Sequence, residues 1–154
     1  MLVPKYKLIL LLTLLPLSFL QAQGNAGEEN PVSFIGMKLD DLIRDFGVPG
    51  SVYPVRGREE WQDDVVFVYD QGDFYIYKDR VWQAGLREHR GIKTGDPRGL
   101  VSLMIGSAPG FTMAETRGDS ILYSLNEEAW PMMLRFDFDS ASRVKAIFIY
   151  RTDF

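Results

Sequence analysis

One stretch of this chain occurs twice, and the recurrence limits what the chain can fold into. Gly36-Met-Lys-Leu-Asp-Asp-Leu-Ile-Arg-Asp-Phe-Gly47 runs into Val48-Pro49-Gly50. Gly95-Asp-Pro-Arg-Gly-Leu-Val-Ser-Leu-Met-Ile-Gly106 runs into Ser107-Ala108-Pro109-Gly110. Each copy spaces two glycines eleven residues apart, sets Phe46 or Ile105 before the second, and ends in Pro-Gly. Self-similarity of this kind is the mark of a duplicated unit. In the first copy Leu39, Leu42, Ile43 and Phe46 fall at helical spacing and make one apolar stripe. Asp40 and Asp41 sit in the first turn, where the helix dipole favours negative charge. Gly47 suits the position after a helix end, and Pro49 blocks continuation. In the second copy Val101, Met104 and Ile105 make the stripe. Asp96 is placed to cap and Pro97 to fill the first helical position, while Gly106 and Pro109 repeat the ending.

Strand-like runs follow each helix. They span 51–56, 65–69, 74–77 and 81–87 after the first, and 111–116, 121–125, 132–138 and 144–151 after the second. Asp70–Asp73, Lys78–Arg80, Arg117–Ser120 and Asp139–Ser142 read as the turns between them. Val, Ile, Phe and Tyr dominate the runs, as a half-buried sheet surface requires. The expected fold is α+β: tandem repeats over 34–90 and 91–154, each one helical segment plus about four antiparallel strands. The sheets are expected side by side, joined into one antiparallel surface with the helices on one face.

The first residues follow a different logic. Lys5 and Lys7 precede the apolar run Leu8–Leu20, and the small residues Ala22, Gly24 and Ala26 follow it. That order is a secretory signal peptide, assigned to residues 1–24. The run is shorter than the roughly 20 residues of a membrane span, so no stable span is expected after cleavage. An uncleaved anchor is the alternative. Residues 25–33 read as a flexible polar leader, and export ends in the periplasm or outside the cell. There is no cysteine, so an oxidising compartment supplies no disulfide and stability must come from burial. About 130 remaining residues suffice for one core. Without Lys5 and Lys7, 15 basic residues face 21 acidic ones, a net charge of −6. No Lys/Arg cluster forms, which argues against nucleic acid or an anionic membrane surface as partner.

The stretch from Gly36 to Pro49, leading into strands, resembles the helix of the SmpA/OmlA-like family of small exported bacterial proteins. One member is an accessory lipoprotein of outer-membrane β-barrel assembly. Two helix-plus-sheet units in tandem also resemble the beta-lactamase inhibitor protein fold, in which the repeats bind a partner enzyme across a concave sheet face. Both resemblances imply a non-catalytic, partner-binding role. Without cysteine, neither the lipid anchor of the first nor the disulfides of the second transfers, and no functional residue does.

Catalytic and metal chemistry finds little footing. His89, the single histidine, lies among charges in Arg87-Glu-His-Arg90 and reads as a solvated surface residue. Nucleophile pairs of the Cys–His kind are impossible without cysteine, and no Ser lies in a Gly-x-Ser-x-Gly setting. Asp63-Asp64, Asp70, Asp73 and the pair Asp137/Asp139 match no calcium loop and read as turn residues. Glu59-Glu60 and Glu127-Glu128 read as solvated charges, and Arg117-Gly-Asp119 as a hairpin turn. No cofactor is expected.

Aromatic residues carry the functional signal. Alternation along Phe74-Tyr-Ile-Tyr77 sends Phe74 and Ile76 to the helix side, and Tyr75 and Tyr77 to the other. Along Ile147-Phe-Ile-Tyr150 it sends Phe148 and Tyr150 outward with them. Large rings beside arginine make binding hot spots. Tyr75, Tyr77, Arg87, Arg135, Phe148 and Tyr150 are therefore the candidate binding residues. The reading is an exported non-catalytic module holding a protein partner on its open sheet face. A small-ligand carrier and a small exported hydrolase are the alternatives.

Overall fold

The computed structural model describes residues 31–57, 64–125 and 130–153. The expected signal peptide at 1–24, the expected leader up to residue 30, Glu59-Glu60, Asp63 and Glu127-Glu128 lie outside the described residues. A 3-10 turn at Pro31–Phe34 opens the described chain and leads into helix α1 (Leu39–Phe46). Four strands follow: β1 (Ser51–Val55), β2 (Asp64–Val68), β3 (Gly72–Tyr77) and β4 (Arg80–Leu86). A small hairpin of β5 (Glu88–His89) and β6 (Ile92–Lys93) precedes helix α2 (Arg98–Met104). Then come β7 (Phe111–Thr116), β8 (Ser120–Leu125), β9 (Met132–Phe138) and β10 (Val144–Arg151). The fold is α+β.

Eight of the strands form one antiparallel sheet in the order β1-β2-β3-β4-β10-β9-β8-β7. The expected single antiparallel surface is present, and its join is a hydrogen-bonded ladder between β4 and β10, pairing Ile147 with Leu86 and Tyr150 with Gln83. The register carries side-chain alternation straight across the join, so both halves share one apolar face. Phe74, Ile76, Val81, Ala84, Leu86, Leu134, Phe136, Ile147 and Ile149 lie on that face and form a single core cluster with Leu42 of α1 and Val101 of α2. Leu42 and Val101 are fully buried, and each contributes about 1.5–3 kcal/mol by leaving water. Both helices therefore cover the same side of the sheet. Ile43 and Met104, expected in the helical stripes, stand 39% exposed at their edges.

The approach to each helix is built by the same hydrogen bonds. The Gly36 N–H donates to Val81 O at 2.7 Å, and the Gly95 N–H to Val144 O at 2.8 Å. The Val81 N–H donates to Met37 O at 2.9 Å, and the Val144 N–H to Asp96 O at 2.8 Å. Arg80 and Arg143 each reach back from a hairpin and donate to the carbonyls of Gly36 and Gly95, both at 2.8 Å. Gly36 and Gly95 take φ of 87° and 93°, a region open to glycine at little cost.

Three helix-end assignments need correction. Asp96 does not cap α2; its Oδ2 accepts the Lys93 N–H at 2.8 Å. Pro97 is the extended residue before the helix rather than its first helical residue. The bridge of Pro97 to Arg143 draws this backbone out of helical geometry. Gly106 does not repeat the positive φ of Gly47. It is needed for space, since a Cβ there would lie 2.4 Å from Ser102 O.

Candidate binding face

On the side of the sheet away from the helices, register alone assembles a row from six strands: Tyr53, Val66, Tyr75, Gln83, Tyr150 and Met133. The next row is Asp73, Gly85, Phe148, Arg135, Leu122 and Glu115. Tyr75, Tyr77, Phe148 and Tyr150 are half-buried and belong to neither helix contact nor the core cluster. Val66 is wholly buried without joining the core, because Tyr53 and Tyr75 flank it across the strands. Leu122 is sealed in the same way between Glu115 and Arg135.

Arg135 stands at the centre of this face. Its guanidinium lies 4.7 Å from the Phe148 ring centroid and 5.9 Å from that of Tyr150. Its Nε is 3.0 Å from Asp137 Oδ1, but off the N–H axis, so the pair is ionic without an aligned hydrogen bond. Tyr75, three strands away, has its pKa raised by burial first and then by Tyr53, Asp73 and Asp64, while the Arg135 charge opposes the rise. Arg117, on the turn after β7, is held protonated mainly by Glu115, and Tyr150 adds to the effect from three strands away.

Tyr75, Phe148, Arg135 and Tyr150 are brought together. Arg87 stands at the end of β4 and pairs with Asp73 at 2.6 Å. Tyr77 shares the face but sits at the β3–β4 turn, where the Lys78 ammonium lies 5.1 Å from its ring. Sequence reasoning missed Tyr53, Trp82 and Gly85. Alternation in Val52-Tyr53-Pro54 was available for Tyr53. Trp82 was not legible, because a bulge shifts the β3–β4 register beside Tyr75 and Ile76; its indole N–H donates to Asp64 Oδ1 at 3.1 Å.

His89 is corrected from solvated to buried, 6% exposed. Its ring meets Phe111 edge-on at 5.9 Å, since the β5–β6 hairpin folds it inward opposite the buried Ile92. Burial, with the neighbouring Arg90 charge, lowers its pKa from 6.5 to about 4. Asp139 acts as a turn residue: its Oδ1 accepts the N–H groups of Ala141 and Arg143, both at 2.9 Å. Among the described residues no helix is long and apolar enough to cross a membrane, and no group of three or more His, Asp or Glu is placed to hold a metal ion.

No family model matches the chain, and no curated protein does. Among solved structures it is similar to an extracellular protein containing a SCP domain from Bacillus anthracis str. Ames, at 12% identity and a TM-score of 0.50. That likeness covers 82% of this chain and 47% of the other, so the chain spans about half the length of that protein. At such low identity the likeness speaks to fold alone.

Proposed function

We propose that this chain is an exported, non-catalytic binding module that holds a protein partner on its open sheet face. The carrying observation is Arg135, its guanidinium 4.7 Å from the Phe148 ring centroid and 5.9 Å from that of Tyr150, on a face to which both halves of the sheet contribute. Half-buried rings around an arginine are the composition of interface hot spots. Prepacked side chains also lose less freedom on binding than mobile ones. Export rests on the leading charge–apolar–small pattern; the extracellular nature of the structural neighbour is in keeping with it. We further propose that the halves are copies of one helix-plus-four-strand unit, as in the SmpA/OmlA-like and inhibitor-like proteins that the sequence resembles. The matched bonds of Arg80 and Arg143 and of Gly36 and Gly95 support this. On the helix side, Phe34, Phe46, Tyr69 and Phe74 pack through ring contacts; a cleft of about 460 Å³ beside Phe46 and Tyr69 is where a small-ligand carrier would hold its cargo.

Capture from envelope and culture-medium extracts tests the reading. Tagged chain should retain a discrete partner, and Tyr75→Ala with Tyr150→Ala should weaken its retention at least tenfold while the far-UV spectrum stays unchanged. Equal retention by the folded double variant would end the open-face reading.

A further inference from the structure

The open face has a hole in it, at the join of the two halves. Register sets Gly85 between Asp73 on β3 and Phe148 on β10. Every neighbour carries a side chain and Gly85 does not, so Gly85 is buried at the floor of a notch although it lies on the open face. The notch has a volume of about 150 Å³. Tyr75 and Phe148 line it together with Asp73, Arg87, Thr94 and Lys145. The charges in the lining are unequal. Arg87 is neutralised by Asp73 at 2.6 Å, whereas Lys145 makes no ion pair among the described residues. One positive charge is left over in a pocket lined in part by two rings.

We propose that this notch receives a glutamate side chain from the protein partner, its methylene stem between Tyr75 and Phe148 and its carboxylate at Lys145. A volume of this order accommodates one small ring or one extended side chain. The uncompensated ammonium selects an anionic end, and the two rings in the lining favour an aliphatic stem over a bare anion. The glycine is what opens the site. Gly85 has no positive φ and so needs no glycine for its backbone. An added Cβ would stand 3.4 Å from the Phe148 ring and 3.7 Å from Asp73 Cβ, ordinary contact that occupies the notch without a clash. This inference deepens the open-face reading and rests on it.

N-acetylglutamate methylamide, its glutamine counterpart and its lysine counterpart serve as probes, titrated into the ¹⁵N-labelled chain lacking residues 1–24. The glutamate probe should move the amide signals of Tyr75, Gly85, Lys145 and Phe148, with dissociation in the millimolar range expected of a small fragment. The glutamine probe should bind at least threefold more weakly, and the lysine probe should not register. Gly85→Val should abolish the shifts, and Lys145→Gln should make the glutamate and glutamine probes equal. No shift at the notch, unaltered binding to a folded Gly85→Val, or equal binding of both probes to the unmodified chain would each overturn the proposal. Should Gly85→Val not fold, the exposed Lys145→Gln decides alone. If partner capture falls with Tyr75→Ala and Tyr150→Ala but survives Gly85→Val, the notch is refuted and the open face stands. If the probes bind and no partner is captured through the face, the open-face reading falls by itself.

Discussion

At the scale of single residues, His89 shows how a polar side chain becomes part of a core. The local sequence surrounds it with Arg87, Glu88 and Arg90, which argues for water. The turn at Arg90 and Gly91, with φ of 50° and 77°, folds β5 on β6 and carries the imidazole against Phe111 instead. Its Nε2 has no hydrogen-bond partner, and a proton there would add an unpaired buried charge. The folded-state pKa of about 4 lies below the ordinary 6.5. The unfolded chain therefore binds the proton more readily, and His89 favours the fold fully only above about pH 6.5. That contribution is lost progressively as the pH falls toward 4. Between pH 7.5 and pH 5 the loss is about 2 kcal/mol. Urea unfolding at the two pH values should show it, and His89→Leu should remove most of the difference. An unchanged pH slope in the leucine variant would place the titrating group elsewhere. Such a feature could not be read from residue identity, because two-residue strands have no periodicity.

At the scale of elements, the segments that were legible are those with long patterns. The alternation of Phe74 to Tyr77 and of Ile147 to Tyr150 predicts which side each residue faces, and the structure places them so. Turn chemistry served equally well at Lys78-Asp79, where both residues take the positive φ of a tight hairpin. What failed was reading caps from residue type. Asp96 and Pro97 have the composition of a helix start, but the backbone there is claimed by the hairpin that carries Arg143. Tertiary bridges outweigh a cap that contributes about 1 kcal/mol. The Arg80–Gly36 and Arg143–Gly95 bonds make these bridges testable. Each is a charged donor to a backbone carbonyl at 2.8 Å on an exposed rim, so Arg80→Ala and Arg143→Ala should each cost about 1 kcal/mol. The two sites lie in different halves and share no partner, so the double variant should cost the sum to within about 0.5 kcal/mol. Chemical denaturation of the four proteins checks this. A marked inequality between the single variants would count against equivalent roles for the two hairpins.

For the whole molecule, the question is whether two helix-and-strand halves behave as one body. Their sheet is continuous through β4 and β10, and each of those strands is flanked by neighbours on both sides. The outer strands β1 and β7 are the free edges. Pro54 in β1 removes one donor there, and a bulge between Met113 and Glu115 distorts β7; both are ways in which sheets discourage further pairing. Were the halves to separate, β4 and β10 would become long edges, exposing Ala84, Leu86, Ile147 and Ile149, all now buried. Those exposures are costly enough that neither half should persist without the other. The sequence could predict the strands and one continuous surface, but not which strands join it, because nothing in a strand's own pattern names its partner. Trp82 on β4 reports on the first half, and Trp130, ahead of β9, reports on the contact between the halves, since its indole Nε1 lies 3.7 Å from where a Cβ on Gly36 would stand. With the other tryptophans replaced by Phe, each should give a fluorescence transition in urea that coincides in midpoint with the other and with the far-UV signal, as a two-state fold requires. Midpoints separated by more than the fitting error would mean that the β4–β10 ladder joins two independent modules.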